Sequence, residues 1–256
     1  MPIAEFPTLA AAEKVWNSLS EDGAVILRAA ITTELLGRLQ LYCKAAFAIM
    51  DIKSNELDEG RSPASDHLRP YVETYKGLQY VADDVLSTIL SNAGLANPGL
   101  SAIGEPLLKS LQPFFPVSLD FVPNKSVLRR QGVRDDAQKT AYVVWHRDAH
   151  AVQTVELGDV FNCWVPCEQV GIDRASLQVV IGSNRIMKRR PVNYSSYDNP
   201  QDEEVHYEYG SERICTAFLN PGDALIFSDH TIHRTQPMSD DALTRMSGEF
   251  RFRIRN

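Results

Sequence analysis

The sequence predicts an all-β core with flanking helices, an α+β fold in one domain spanning residues 1–256. Three observations predict it. Before Phe114 the apolar residues recur mainly at helical spacing. After Phe114 they fall into short runs rich in β-branched and aromatic residues: SLDFV, SVL, AYVVW, VFNCWV, LQVVI, CTAFL and ALIF. Polar turns separate these runs, among them Gly132, Gly158, Gly182 and Asn220-Pro221-Gly222-Asp223, with no alternating helices. Many short strands in that arrangement fit an antiparallel sandwich, and a double-stranded β-helix (a jelly roll of cupin-like form) accommodates them. Residues 1–113 then supply mostly helical support, and residues 114–256 the jelly-roll core.

Taken in order, Ala10 to Leu19 reads as a short amphipathic helix, Glu21-Asp22-Gly23 as a turn and Ala24 to Leu27 as a strand. Thr32-Thr33 starts a second helix, with Leu35, Leu36, Leu39 and Leu41 on a broad apolar face, running to about Ile49. Residues 51–66 are polar with Gly and Pro and are expected to form a loop. Helices follow at Asp83 to Asn92 and Ser101 to Gln112. Within the core, residues 185–212 form a long polar stretch carrying Tyr194, Tyr197, Tyr207 and Tyr209, which suits a loop or lid over a site.

Composition excludes several classes. Acidic residues outnumber basic ones 33 to 26, giving a net charge of −7, so a nucleic-acid partner is not expected. The basic runs Arg129-Arg130 and Lys188-Arg189-Arg190 read as solvated loop charges. No apolar stretch nears the roughly 20 residues of a membrane span. The start, MPIAEFPTLAAAEKVW, lacks the basic and apolar regions of a secretory signal. Four cysteines without CxxC spacing suit a reducing compartment. The expectation is a cytoplasmic monomer or homodimer acting on a small molecule.

The chemistry concentrates in two segments. In Trp145-His146-Arg147-Asp148-Ala149-His150, residues two apart on a strand point to one face, so His146 and Asp148 can approach one metal ion. The second segment is Phe227-Ser228-Asp229-His230-Thr231-Ile232-His233-Arg234-Thr235, whose His233 lies 87 residues beyond His146. Two imidazoles and one carboxylate form the facial triad of non-haem iron(II) oxygenases, which leaves open positions for an oxo acid and O2. A zinc hydrolase, or a metal-binding jelly roll without oxygenase activity, could use the same set, although no HExxH motif is present. Arg245 follows His233 by 12 residues, in a chain that reads as a hairpin returning along the next strand. There it could clamp a carboxylate through its two-pronged fork. An edge-strand surface position is the other reading, and the one assigned to Arg251, Arg253 and Arg255.

Taken together these residues resemble the phytanoyl-CoA dioxygenase (PhyH) family of iron(II)- and 2-oxoglutarate-dependent oxygenases. WHRDAH resembles its His-x-Asp segment, and FNCWVPCE its tryptophan-bearing strand, with Trp164 18 residues beyond His146. SLQVVIGSN resembles its strand and Gly-Ser turn, here with Ile181 and Asn184 in place of Pro and His. NPGDALIFSDHTIHRTQP resembles its final metal-binding segment, and counting from Gly222-Asp223 selects His233 over His230. The resemblance implies Fe(II) on His146, Asp148 and His233. It implies 2-oxoglutarate on Arg245 and Thr235, with Trp164 against it, and Arg147 and His150 as candidate substrate contacts. Lys125, Val127 or Leu128 would be the cosubstrate contacts ahead of His146. Related halogenases lack the carboxylate ligand, so Asp148 implies hydroxylation, or a desaturation, epoxidation or cyclisation. The acidic charge suits a small secondary metabolite, as in natural-product biosynthesis, better than a CoA ester.

Overall fold

The computed structural model describes residues 2–60, 68–94, 99–131, 143–151, 159–185, 200–239 and 241–255. Strand β1 (Ala4–Pro7) leads into helix α1 (Ala12–Asp22), which runs through the expected turn and stops at Gly23. Gly23 has φ 80°, and a Cβ there would lie 2.7 Å from Asn184 Oδ1 and Thr231 Oγ1, so only glycine can end the helix at this point. Strand β2 (Ala24–Arg28) follows, as expected from its apolar run.

Helix α2 (Thr33–Asp58) is capped by Thr32, whose Oγ1 accepts a hydrogen bond from Leu35 N at 3.2 Å. It extends two turns past the expected end, so residues 51–58 are helix and not loop. The polar residues there have partners in the fold. Asp51 accepts from Arg130 at 2.7 and 2.6 Å and from the Tyr75 hydroxyl, and Ser54 is buried. Tyr75 belongs to helix α3 (Arg69–Leu78), an element not among those expected from the sequence. Strand β3 (Tyr80–Ala82) and helices α4 (Asp83–Asn92) and α5 (Ser101–Leu111) complete the N-terminal part.

The remaining elements are β4 (Leu119–Phe121), β5 (Val127–Gln131), the single turn α6 (Asp148–Ala151), β6 (Val160–Pro166), β7 (Leu177–Val180), α7 (Asp202–Tyr209), β8 (Ile214–Thr216), β9 (Ala224–Ser228), β10 (His233–Thr235) and β11 (Arg245–Ile254). They form two sheets. The larger has eight strands in the order β1-β2-β9-β6-β11-β5-β3, with β4 also paired to β11. The smaller is β10-β7-β8. Mixed helices with one large and one small sheet agree with the α+β class and a jelly-roll core. Strands β1, β2 and β3 come from the helical first third, yet all three join the large sheet.

Each face of the large sheet has its own chemistry. Phe161, Cys163, Val165, Ile226, Phe250 and Phe252 pack with α1, α2 and α5 in the main hydrophobic cluster. On the other face Trp164, Leu225 and Phe227 meet Leu177, Val179 and Ile181 of the small-sheet side. That face also carries a polar set along β11, Arg245, Ser247, Glu249 and Arg251, which alternates with Met246, Gly248, Phe250 and Phe252 as the pleat requires. The expected hairpin is not formed. β10 pairs with β7, whereas β11 pairs with β6, β5 and β4, so His233 and Arg245 stand on different sheets.

Two charge assignments change accordingly. Arg129 pairs with Glu249 at 2.6 Å, and Arg130 pairs with Asp51, so neither is a solvated loop charge. Lys188-Arg189-Arg190 lies outside the described residues. Arg253 and Arg255 do sit at the surface against Asp120, but Arg251 is buried.

Candidate metal centre

The structure brings His146, Asp148 and His233 together. Their nearest donor atoms all lie within 4.8 Å of one another. His146 and His233 exchange backbone hydrogen bonds, N to O at 2.9 and 3.0 Å, and form an isolated antiparallel bridge. That pairing sets their rings side by side, with centroids 4.1 Å apart. The chain does not stay extended after His146. Asp148 opens the turn α6, which the bond from Ala149 N to Asp229 O holds in place at 3.0 Å. Asp148 still turns back to His146, with Oδ1 3.5 Å from Nε2. His230, a third exposed and 3.8 Å from Asp229, is not part of the group.

The hydrogen bonds prepare these residues as ligands. His146 Nδ1 lies 2.8 Å from Val144 O, and His233 Nδ1 lies 3.0 Å from Thr231 O. A carbonyl only accepts, so each Nδ1 carries the proton and each Nε2 keeps a lone pair for a metal ion. Burial, with His146 alongside, lowers the His233 pKa to about 4, so the ring is neutral at physiological pH. Burial alone would raise the Asp148 carboxyl. Arg251 and the two histidines outweigh it and hold the group ionised, well below its ordinary value. Arg251 does so through Nη2, 2.9 Å from Asp148 Oδ2, which leaves Oδ1 turned toward the imidazoles. The neutral His233 imidazole and the ionised Asp148 carboxylate, beside the His146 ring, fit a divalent cation.

A pocket opens from this group between the sheets, lined by Arg129, Asn162, Trp164, Thr235, Arg245 and Glu249 among others. Arg245 is 1% exposed. Its guanidinium lies 4.8 Å from the Trp164 ring centroid, and it donates to Ser247 Oγ at 3.0 Å and to Gln131 Oε1 at 2.8 Å. Thr235 donates to the same Gln131 oxygen at 3.1 Å. Arg129 and Arg251 each pair with a carboxylate, while the hydrogen-bond partners of Arg245 among the described residues are neutral. Burial lowers its pKa to about 10, which leaves it charged at neutral pH.

Other expected contacts fall elsewhere. Arg147 is buried with Nη2 3.2 Å from the Tyr209 hydroxyl and is not among the pocket-lining residues. The side chain of His150 lies outside the described residues. Lys125, Val127 and Leu128 do not line the pocket. Arg129, two residues past Val127 on the same face of β5, does. Of the expected loop or lid, 186–199 lies outside the described residues, and the rest includes α7. That helix is anchored beside the histidines, because Asp202 accepts from Trp145 Nε1 at 2.6 Å and pairs with Arg234. Sequence reading also missed Gln131, Asn162, Glu249 and Arg251. The alternation in RMSGEFRFRI was the one local signal for Glu249 and Arg251.

A jelly-roll core holding two imidazoles and a carboxylate between its sheets is the arrangement of the non-haem facial-triad class. The phytanoyl-CoA dioxygenase (PhyH) family model matches residues 132–247, the stretch that contains all three donors, Trp164, Thr235 and Arg245. No curated protein sequence matches the chain. Among solved structures, the α-ketoglutarate-dependent epimerase SnoN from nogalamycin biosynthesis aligns with a TM-score of 0.56 and 17% identity, over 95% of this chain and 83% of its own. The carbocyclase SnoK from the same biosynthesis aligns at 0.54 and 16%, over 96% and 86%. The nickel complex of the non-haem monooxygenase ThoJ aligns at 0.55 and 12%, over 94% and 77%. At these identities the likeness is one of fold. No helix among the described residues is long and apolar enough to cross a membrane.

Proposed function

We propose that the protein is an iron(II)- and 2-oxoglutarate-dependent dioxygenase that hydroxylates a small molecule, a secondary-metabolite intermediate, in a reaction consuming O2. One observation carries this reading: three metal donors, two buried and one half-buried, face a pocket that also holds the buried, neutrally partnered guanidinium of Arg245. His146, Asp148 and His233 would hold the metal ion, and Arg245, supported by Gln131 and Thr235, would take the distal carboxylate of 2-oxoglutarate. Bound iron(II) would supply the redox chemistry that couples decarboxylation of the oxo acid to oxidation of the substrate.

The chain's own residues orient and shield that chemistry. The Val144 and Thr231 carbonyls fix both imidazole tautomers. Arg251 keeps Asp148 ionised and occupies its second oxygen. Trp164, buried in the pocket wall, packs against the Arg245 guanidinium. Asp148 fills the carboxylate position of the triad, which favours oxygen transfer over halide transfer. The structural neighbours include an epimerase, a carbocyclase and a monooxygenase, and two of them act in natural-product biosynthesis. This supports a metabolite-sized substrate. Desaturation, epoxidation and cyclisation are alternative outcomes at the same residues.

The test is succinate release from 2-oxoglutarate by protein loaded with iron(II) and ascorbate, with and without a metabolite panel. No turnover under any condition would sink the reading. Activity restored by zinc alone would replace it with a hydrolase.

A further inference from the structure

Asn162 lies in the middle of β6, is 3% exposed and lines the pocket. Neither its Oδ1 nor its Nδ2 has a hydrogen-bond partner among the described residues. An amide buried that way costs about 1–3 kcal/mol per orphaned group, and native proteins keep very few of them. Its neighbours indicate what it is kept for. Strand register puts Asn162 opposite Arg251, the residue that grips Asp148. Trp164, next on the same face, stands opposite Glu249, and its Nε1 is also unpartnered. Arg245 lies beyond, against Trp164, with an unpartnered Nε.

Unsatisfied donors therefore run along one sheet face from the Asp148 end to the Arg245 end. Arg245 stands three same-face steps from Arg251 along β11, but its guanidinium lies 4.8 Å from the Trp164 ring centroid, and Trp164 is one same-face step, about 6.8 Å, from Asn162. A five-carbon diacid, with four carbon–carbon bonds of about 1.5 Å each, has a length of that order and offers only acceptors.

Resting on the cosubstrate reading above, we propose that Asn162 is a cosubstrate-binding residue. Its Nδ2 donates to the oxo-acid end of 2-oxoglutarate beside His146 and Asp148, while Arg245 takes the far carboxylate. Oδ1 is left for a donor, which 2-oxoglutarate does not have.

The test compares wild type with Asn162→Val and Asn162→Thr, side chains of one shape that differ by a hydroxyl. Manganese(II)-loaded protein is titrated with 2-oxoglutarate by calorimetry, and the visible absorption of the anaerobic iron(II) protein with 2-oxoglutarate is recorded. Asn162→Val should bind 2-oxoglutarate about tenfold or more weakly, the worth of a hydrogen bond to a charged acceptor, and shift the absorption band. Asn162→Thr should recover part of both. Manganese affinity should be unchanged in both variants, and apo Asn162→Val should melt no lower than wild type, because an unsatisfied amide is gone. Affinity for 2-oxoglutarate within twofold of wild type in Asn162→Val would overturn the proposal. Equal loss of manganese binding in both variants would also overturn it, by placing Asn162 in the metal centre. Wild type that binds manganese but not 2-oxoglutarate would refute the cosubstrate reading itself.

Discussion

Replacing Arg251 by Met tests how the metal centre is assembled. The Arg251–Asp148 pair is 2.9 Å long with side-chain exposures of 10% and 8%, so solvent screens it poorly. Arg251→Met keeps most of the side-chain volume and strands a buried carboxylate, a loss of about 3–5 kcal/mol where one partner of a buried ion pair is removed. A domain of this size changes its melting temperature by roughly 2–4 °C per kcal/mol, so the apoprotein should melt about 6–20 °C lower. The pH dependence follows from the depressed Asp148 pKa. The stabilisation is present above the ordinary carboxylate value and fades as pH falls toward the lower folded value, so wild type and variant should begin to converge only below about pH 4. Calorimetric melting of metal-free protein from about pH 2 to 7.5 measures both effects. A double variant, Asp148→Asn with Arg251→Met, should be less destabilised than the sum of the singles by at least about 1 kcal/mol. A melting shift under about 2 °C in Arg251→Met, or strict additivity in the double variant, would refute the buried-pair argument.

Three further outcomes are expected. His146→Ala should abolish tight iron(II) binding while His230→Ala largely keeps it, and equal losses by metal titration would contradict the ligand assignment. Arg245→Gln should weaken 2-oxoglutarate binding by about 10- to 100-fold with metal affinity retained, as read from succinate kinetics and calorimetry. His233 has a folded pKa of about 4 against an ordinary 6.5, so the unfolded chain binds the extra proton between those values. Apoprotein stability should therefore fall by up to about 3 kcal/mol as pH drops from 7 to 4. His233→Leu should flatten that slope in urea melts, and an unchanged slope would count against a neutral buried imidazole.

The candidate site was partly legible. His146 and Asp148 stand two apart, and the family resemblance, counted from Gly222-Asp223, picks out His233. The reason given for the first pair was only half right: the chain leaves the strand at Asp148, and the bridge to His233 with the turn α6 aims the carboxylate. A helix start was legible where one residue decides it, as at Thr32. Residues 51–58 were not, because a polar helix segment held by Asp51 to Arg130 and Tyr75 looks locally like a loop.

Arg251 marks the division most clearly. Alternation in RMSGEFRFRI states that Arg245, Ser247, Glu249 and Arg251 share a face, but a pleat has two faces and polar residues ordinarily turn to water. Here they turn inward because partners remote in sequence meet them there: Asp148 for Arg251, Arg129 for Glu249, Gln131 for Arg245. The amino-acid sequence by itself determined the donor types, their spacing and the two-faced strands. The tertiary structure decided which face became the interior, because the pairing of β5 with β11 sets Arg129 against Glu249 and Gln131 against Arg245, and the turn α6 brings Asp148 to Arg251.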